Sequence, residues 1–214
     1  MGASFHRWLE RAAKPLVFLV CLLPFAAFVL NAIGGGIGPN PVEAVTHFTG
    51  DWALRFLLIT LAVTPLRRLA GLPRLLGFRR MLGLFAFFYA CLHLGAYLWL
   101  DQFFAWGAIA EDILERPYIT VGFAAFVLMV PLAITSTRGM MRRLGRRWQR
   151  LHRLVYPVAV LGVLHYLWLV KADITEPLVY GAVLLALLAL RLPGSRLVSR
   201  LVSWKRETAV PSGQ

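Results

Sequence analysis

Five histidines are the side chains of this 214-residue chain best suited to chemistry, and three of them, His93, His152 and His165, lie within apolar runs. His152 and His165 share the run LHRLVYPVAVLGVLHYLWLV from Leu151 to Val170, and His93 sits in the run from Met81 to Leu100. Ionisable groups inside hydrocarbon are costly and usually mark a pathway or a cofactor. On a single helix the thirteen positions from His152 to His165 correspond to roughly 20 Å of rise. The two would then stand near opposite faces of a hydrocarbon core ~30 Å thick. On a straight helix they would also differ by roughly 140° in direction, and Pro157 between them is expected to kink the segment. His93 and His165 are about equally far from the basic ends of their own runs, so their imidazoles are expected at one depth. Two neutral imidazoles facing each other suit the axial positions of a haem iron, and such a buried pair favours electron transfer over oxygen binding. The same two rings could instead hydrogen-bond neighbouring helices. His152 is expected at the membrane edge, level with Arg79 and Arg80, where it would ligate a second haem or join two helices. His6 and His47 read as exposed polar residues.

The elements that must position these rings follow from composition. Hydrophobic residues make up 59% of the chain, charged residues 15%, and the mean hydropathy is +0.68. Such a chain cannot present a polar exterior, so its solvent must be largely lipid. Six apolar segments are bounded by charge, glycine or proline: Pro15 to Ile33, Trp52 to Leu66, Met81 to Leu100, Tyr118 to Thr135, Leu151 to Val170 and Pro177 to Leu192. They predict an all-α integral membrane protein, a six-helix transmembrane bundle over residues 15–192 flanked by an N-terminal segment 1–14 and a tail 193–214. The second and sixth are short and are expected to tilt or thin the bilayer. No small-residue cleavage site clearly ends the first, so it reads as a span rather than a signal peptide.

Charge orients the bundle. Twenty of the 23 Lys and Arg fall in the N-terminus and in the segments Arg67 to Arg80, Arg138 to Arg153 and Arg191 to Arg206, whereas eight of the ten acids share the alternate loops. The positive-inside rule then places both termini in the cytoplasm. The net charge of +13 is thus a topology signal rather than a nucleic-acid footprint. Trp52, Trp99, Trp106 and Trp168 are expected near the outer boundary and Trp8, Trp148 and Trp204 near the inner one, as in an aromatic belt. The stretch from Asp101 to Pro117 reads as a short amphipathic piece on the outer surface, and GGGIGPNP (Gly34 to Pro41) as a turn. Asp51 and Arg55 are four apart and should pair, with Arg55 near a haem carboxylate as a further option. The basic run from Thr137 to Arg153 would hold anionic lipid head groups, or a flavin phosphate. Cys21 and Cys91 read as small buried hydrophobes. Cys91 and His93, two apart, would not share a helix face. No acid is expected in the middle of a span, which argues against proton-coupled or cation transport.

The blocks RRMLGLFAFFYACLH (Arg79 to His93), RPYITVGF (Arg116 to Phe123) and TSTRGMMRRLGRRWQRLHRLVY through HYLWLVK (Thr135 to Lys171) resemble the haem-binding membrane subunits of periplasmic methionine sulfoxide reductase systems. These form the MsrQ (YedZ) family within the ferric-reductase-like transmembrane superfamily. The resemblance implies a b-type haem protein of the bacterial inner membrane, not itself the catalytic reductase. It implies electron delivery to MsrP, a periplasmic molybdopterin enzyme that reduces methionine sulfoxide and so repairs oxidised periplasmic proteins. The donor it implies is the quinol pool, or FMN with a cytosolic flavin reductase. Carried onto this sequence, the haem ligands are His93 and His165, with His152 for a second haem. Ferric reductases of the wider superfamily append a flavin and nicotinamide domain. Only 22 residues follow Leu192 here, so the electrons are expected from lipid or a separate protein. A cofactor-free anchor or assembly subunit and a metal-ion permease are the competing readings.

Overall fold

A backbone surrounded by apolar side chains and lipid has no water to bond, so it satisfies its amides within helices. The computed structural model describes the backbone of residues 2–170 and 173–191 and the side chains from residue 12 onward. Among the described residues there is no strand. The helices are α1 (Gly2–Ile33), α2 (Pro41–Ala70), α3 (Leu76–Ala96), α4 (Trp106–Glu115), α5 (Pro117–Ile134), α6 (Arg138–Leu144), α7 (Arg146–Leu151), α8 (Val155–Leu169) and α9 (Thr175–Ala189). Three stretches, Ala12–Ile33, Pro73–Asp101 and Pro117–Ile134, are apolar and long enough to cross a membrane. Leu16, Leu23, Leu30 and Ile33 of α1 stand exposed on the surface of the bundle, as expected of an integral membrane protein whose solvent is lipid.

Local chemistry sets the ends. Asn40 accepts from the Glu43 amide as an N-cap and Pro41 opens α2, because a first-turn proline loses no helical hydrogen bond. Gly71 closes α2 in the left-handed conformation, where glycine has no Cβ penalty. After α3 the chain continues as a π-helical turn over Tyr97–Asp101, followed by Phe103 and Phe104 with φ of 47° and 58°.

Helix α2 packs along α3, α5 along α8, and α8 also meets α2 and α9. Tyr89 of α3 is wholly buried, stacked on Phe56 with ring centres 5.3 Å apart, and its hydroxyl donates to the Cys21 carbonyl at 3.2 Å. Helix α1 joins through Phe18 against Phe85, Phe25 against Phe88, and Phe28 stacked 4.1 Å from Phe48.

Several expectations need correction. The second segment is not short: α2 starts at Pro41 rather than Trp52, so His47 and Asp51 are helical. Their polarity masks the helix, yet Asp51 is neutralised by Arg55 at 3.2 Å, the pairing expected of that spacing. An acid therefore does lie within a long helix. The fifth segment is not one helix. Leu151 ends α7, His152–Leu154 form a 3-10 turn, and α8 starts at Val155, so Pro157 falls in its first turn instead of kinking its middle. Trp52 packs on Phe56 and Tyr89. Cys91 is exposed on the bundle surface, whereas Cys21 is buried. Gly34–Pro41 does turn, with Gly35 and Gly38 at positive φ, and Asp101–Pro117 contains α4, which buries Ile109 and Asp112 and exposes Trp106 and Leu114. Lys171, Leu192, Trp204 and the tail 193–214 lie outside the described residues, as do the side chains of His6 and Trp8.

Candidate cofactor site

His93 of α3 and His165 of α8 meet between the helices, with ring centres 6.0 Å apart and ring planes at 79°. Each ring is fixed by a main-chain carbonyl of a neighbouring helix. His93 Nδ1 lies 3.0 Å from the Thr46 oxygen of α2, and His165 Nδ1 lies 2.7 Å from the Tyr118 oxygen of α5. A carbonyl only accepts, so each Nδ1 carries the proton and donates, which leaves Nε2 with its lone pair. This is the tautomer that a metal requires.

The approach is close because the facing residues are glycines. A Cβ on Gly50 would stand 3.0 Å from His93 Nδ1, and one on Gly122 would stand 2.6 Å from His165 Nδ1. Any larger residue at either position must move the ring.

The rings border a cavity of about 630 Å3 enclosed by α2, α3, α4, α5 and α8, within the usual range for cofactor sites. Its wall is mainly apolar, including Leu54, Leu57, Ile109, Phe126 and Met129. The exposed polar members His47, Asp101 and Arg116 mark its mouth at the end of the bundle that carries the acids. Arg116 is held by Asp112 at 3.0 Å, and Asp112 also accepts from Tyr97 at 3.0 Å and Gln102 at 3.1 Å. Arg55 is engaged elsewhere: it bonds Asp51 and the Tyr180 hydroxyl and is not part of the cavity lining.

These residues fit a haem. Two metal–nitrogen bonds of about 2 Å, plus about 1 Å from each nitrogen to its ring centre, put the ring centres of two axial imidazoles roughly 6 Å apart. The observed 6.0 Å matches. Among the described residues no group of three or more His, Cys, Asp and Glu is placed to hold a metal ion.

A second cavity of about 430 Å3 lies toward the basic end and is lined by Arg79, Arg80, Arg138, Trp148 and His152. Leu57, Met129 and Val158 line both cavities and so form the partition between them. Trp148 is anchored by its indole N–H to the Thr135 carbonyl at 2.9 Å, and the His152 ring stacks on it at 3.9 Å. His152 Nδ1 lies 3.2 Å from the Trp148 carbonyl, while its Nε2 is buried with no hydrogen-bond partner. Arg80 reaches the Ser136 carbonyl at 3.5 Å. The five residues singled out from the sequence thus fall into two groups, His93 with His165 and His152 with Arg79 and Arg80. Gly50, Gly122, Arg116 and the carbonyls of Thr46 and Tyr118 were not anticipated. A carbonyl has no sequence signature, and a mid-helix glycine has many uses.

The ferric reductase like transmembrane component model matches residues 49–163, which includes α3, α5 and most of α2 and α8. The chain is 57% identical over 192 residues to the protein-methionine-sulfoxide reductase haem-binding subunit MsrQ of Rhodospirillum rubrum, covering 89% of this chain and 92% of that protein. It is 53% identical to the protein of that name from Herminiimonas arsenicoxydans, over 83% of each chain. It is likewise 53% identical to the one from Xanthomonas euvesicatoria, over 94% of each. No solved structure matches the chain.

Proposed function

We propose, from the premise that this chain belongs to the family of MsrQ haem-binding subunits among the ferric-reductase-like transmembrane proteins, that it is the electron-carrying membrane subunit of a methionine sulfoxide reductase system. The observation that carries the reading is the pair His93 and His165, set 6.0 Å apart with both Nδ1 atoms committed to carbonyls. These two imidazoles would hold the iron of a b-type haem in the larger cavity. Bound there, the haem supplies a one-electron redox couple whose potential depends on ligand identity, hydrogen bonding and burial. The Nδ1 bonds keep both rings in the ligating tautomer and raise their basicity. The apolar wall excludes water, and Arg116 at the mouth offers a cation to the carboxylates of the cofactor.

The remaining features set direction. Six spans with both termini in the cytoplasm of a bacterial inner membrane would put the basic-end cavity on the inner side and the larger cavity on the outer side. The unpartnered Nε2 of His152 supports the inner cavity as a second haem site, with Arg79 and Arg80 supplying charge for its carboxylates. The donor, quinol or a cytosolic flavin reductase with FMN, meets the chain at that end. The acceptor, the molybdopterin enzyme MsrP, meets it at the outer mouth beside α4 and reduces methionine sulfoxide in oxidised periplasmic proteins.

The test is the visible spectrum of the purified protein. We expect a sharp dithionite-reduced α band that loses the contribution of the larger cavity in His93→Ala and in His165→Ala, while any haem held in the second cavity remains. Unchanged haem content in both variants would refute the assignment. A protein with no haem absorbance at all would favour the anchor or permease reading.

A further inference from the structure

The two halves of the candidate site repeat one another. Thr46, Gly50 and His93 on one side correspond to Tyr118, Gly122 and His165 on the other, each 72 positions later. Both imidazole-to-carbonyl contacts accordingly span 47 residues. In both, the glycine follows the accepting carbonyl by four residues, one helical turn, so carbonyl and glycine lie on the same face. Helical carbonyls already accept from their own helix. An imidazole pressed flat against the helix can reach the second lone pair here because no side chain stands one turn on. The glycine at that place leaves the room for it.

Neither glycine is explained by a turn or a helix end. Gly50 lies well inside α2 and Gly122 inside α5, positions where glycine weakens a helix. Space does not demand glycine at every such position. A Cβ on Gly95, two residues from His93, would meet nothing within 4 Å.

We propose that Gly50 and Gly122 are positioning residues that set the reduction potential of the site, by letting each ligand imidazole lie against a helix backbone and keep its Nδ1–H bonded to a carbonyl. The proposal rests on the reading that His93 and His165 ligate iron. A bonded Nδ1–H gives the ring imidazolate character and makes Nε2 the stronger donor, which favours the ferric over the ferrous ion. Because the device occurs twice, it acts on both ligand imidazoles and would hold the potential low from each side. An added methyl at either glycine pushes the ring off its carbonyl and relaxes that bias. The push is harder at 122, where the clearance is 2.6 Å, than at 50, where it is 3.0 Å.

The experiment is a potentiometric titration of the haem-loaded full chain as wild type, Gly50→Ala, Gly122→Ala and the control Gly95→Ala, followed at the reduced α band. Gly122→Ala should raise the ferrous-to-ferric ratio at fixed potential about tenfold, equivalent to ~59 mV for a one-electron couple. Gly50→Ala should move it in the same direction by less, and Gly95→Ala should match wild type. Midpoints for both site variants equal to that of Gly95→Ala would overturn the proposal. Should Gly122→Ala fail to accumulate, the midpoint of Gly50→Ala decides by the same criterion. Failure of the underlying reading is separately visible, since it shows as haem content unchanged in both His93→Ala and His165→Ala rather than as an unmoved potential.

Discussion

An imidazole whose Nδ1 proton is committed to a main-chain carbonyl has one nitrogen left to offer, and this holds for His93, His165 and His152. What separates them is what the free nitrogen can reach. The first two rings face each other, whereas the buried Nε2 of His152 lies behind the partition of Leu57, Met129 and Val158. His152→Ala should therefore leave the spectrum of the His93/His165 site intact and remove only absorbance that belongs to the second cavity. Complete loss of haem from that variant would show that the pairing is wrong. At the mouth of the larger cavity, Arg116→Gln removes the cation available to a carboxylate. Loss of a charge-assisted hydrogen bond there should let haem transfer from the variant to apomyoglobin more readily at equilibrium than from the wild type. Equal retention by wild type and variant would remove Arg116 from the site.

At the scale of elements, the α2–α3 pair is held by aromatic packing around Tyr89, which also ties α1 down through the Cys21 carbonyl. Tyr89→Ala should lower stability in detergent by roughly 3–5 kcal/mol, the usual cost of removing a large buried side chain. Cys91→Ala, on the exposed face of the same helix, should stay within about 0.5 kcal/mol. Thermal unfolding of the two variants side by side would check this, and equal melting temperatures would contradict the packing described. The same helices show what sequence could and could not reveal. Helices α1, α3 and α5 each contain a long apolar run, and α4 reads from the sequence as an amphipathic piece. The first turns of α2 were hidden because Glu43, His47 and Asp51 make them read as a loop, although Asn40 and Pro41 mark a helix start. The break at His152–Leu154 was hidden for the opposite reason: hydropathy runs through it unchanged and does not separate a 3-10 turn from an α-helix. In the site, the histidines stood out because ionisable groups are costly in apolar surroundings. The carbonyls that orient them carry no letter in the sequence, and the glycines gain meaning only when the 72-residue correspondence is set beside the ring contacts.

Across the whole molecule, charge and chemistry are segregated along one axis. The second cavity shares its end with Arg79, Arg80, Arg138 and the basic helices α6 and α7, while the larger cavity opens among His47, Asp101 and Arg116. The two cavities share Leu57, Met129 and Val158 in their walls, so on the proposed function a carrier at one end and an acceptor at the other would be joined by a short path. The direction of that path depends on which end faces the cytoplasm. Lys and Arg near span ends resist translocation, whereas acids contribute little, and 20 of the 23 basic residues fall in the segments assigned to one side. A fluorescent reporter that matures only in the cytoplasm should therefore be bright when fused after Gln214. Alkaline phosphatase, which is active only outside the inner membrane, should be active when fused after Asp101 and inactive when fused after Arg138. The reverse pattern would place the His93/His165 cavity on the cytoplasmic side. Electrons would then have no outward exit beside α4, and a periplasmic acceptor would be excluded whatever the haem content.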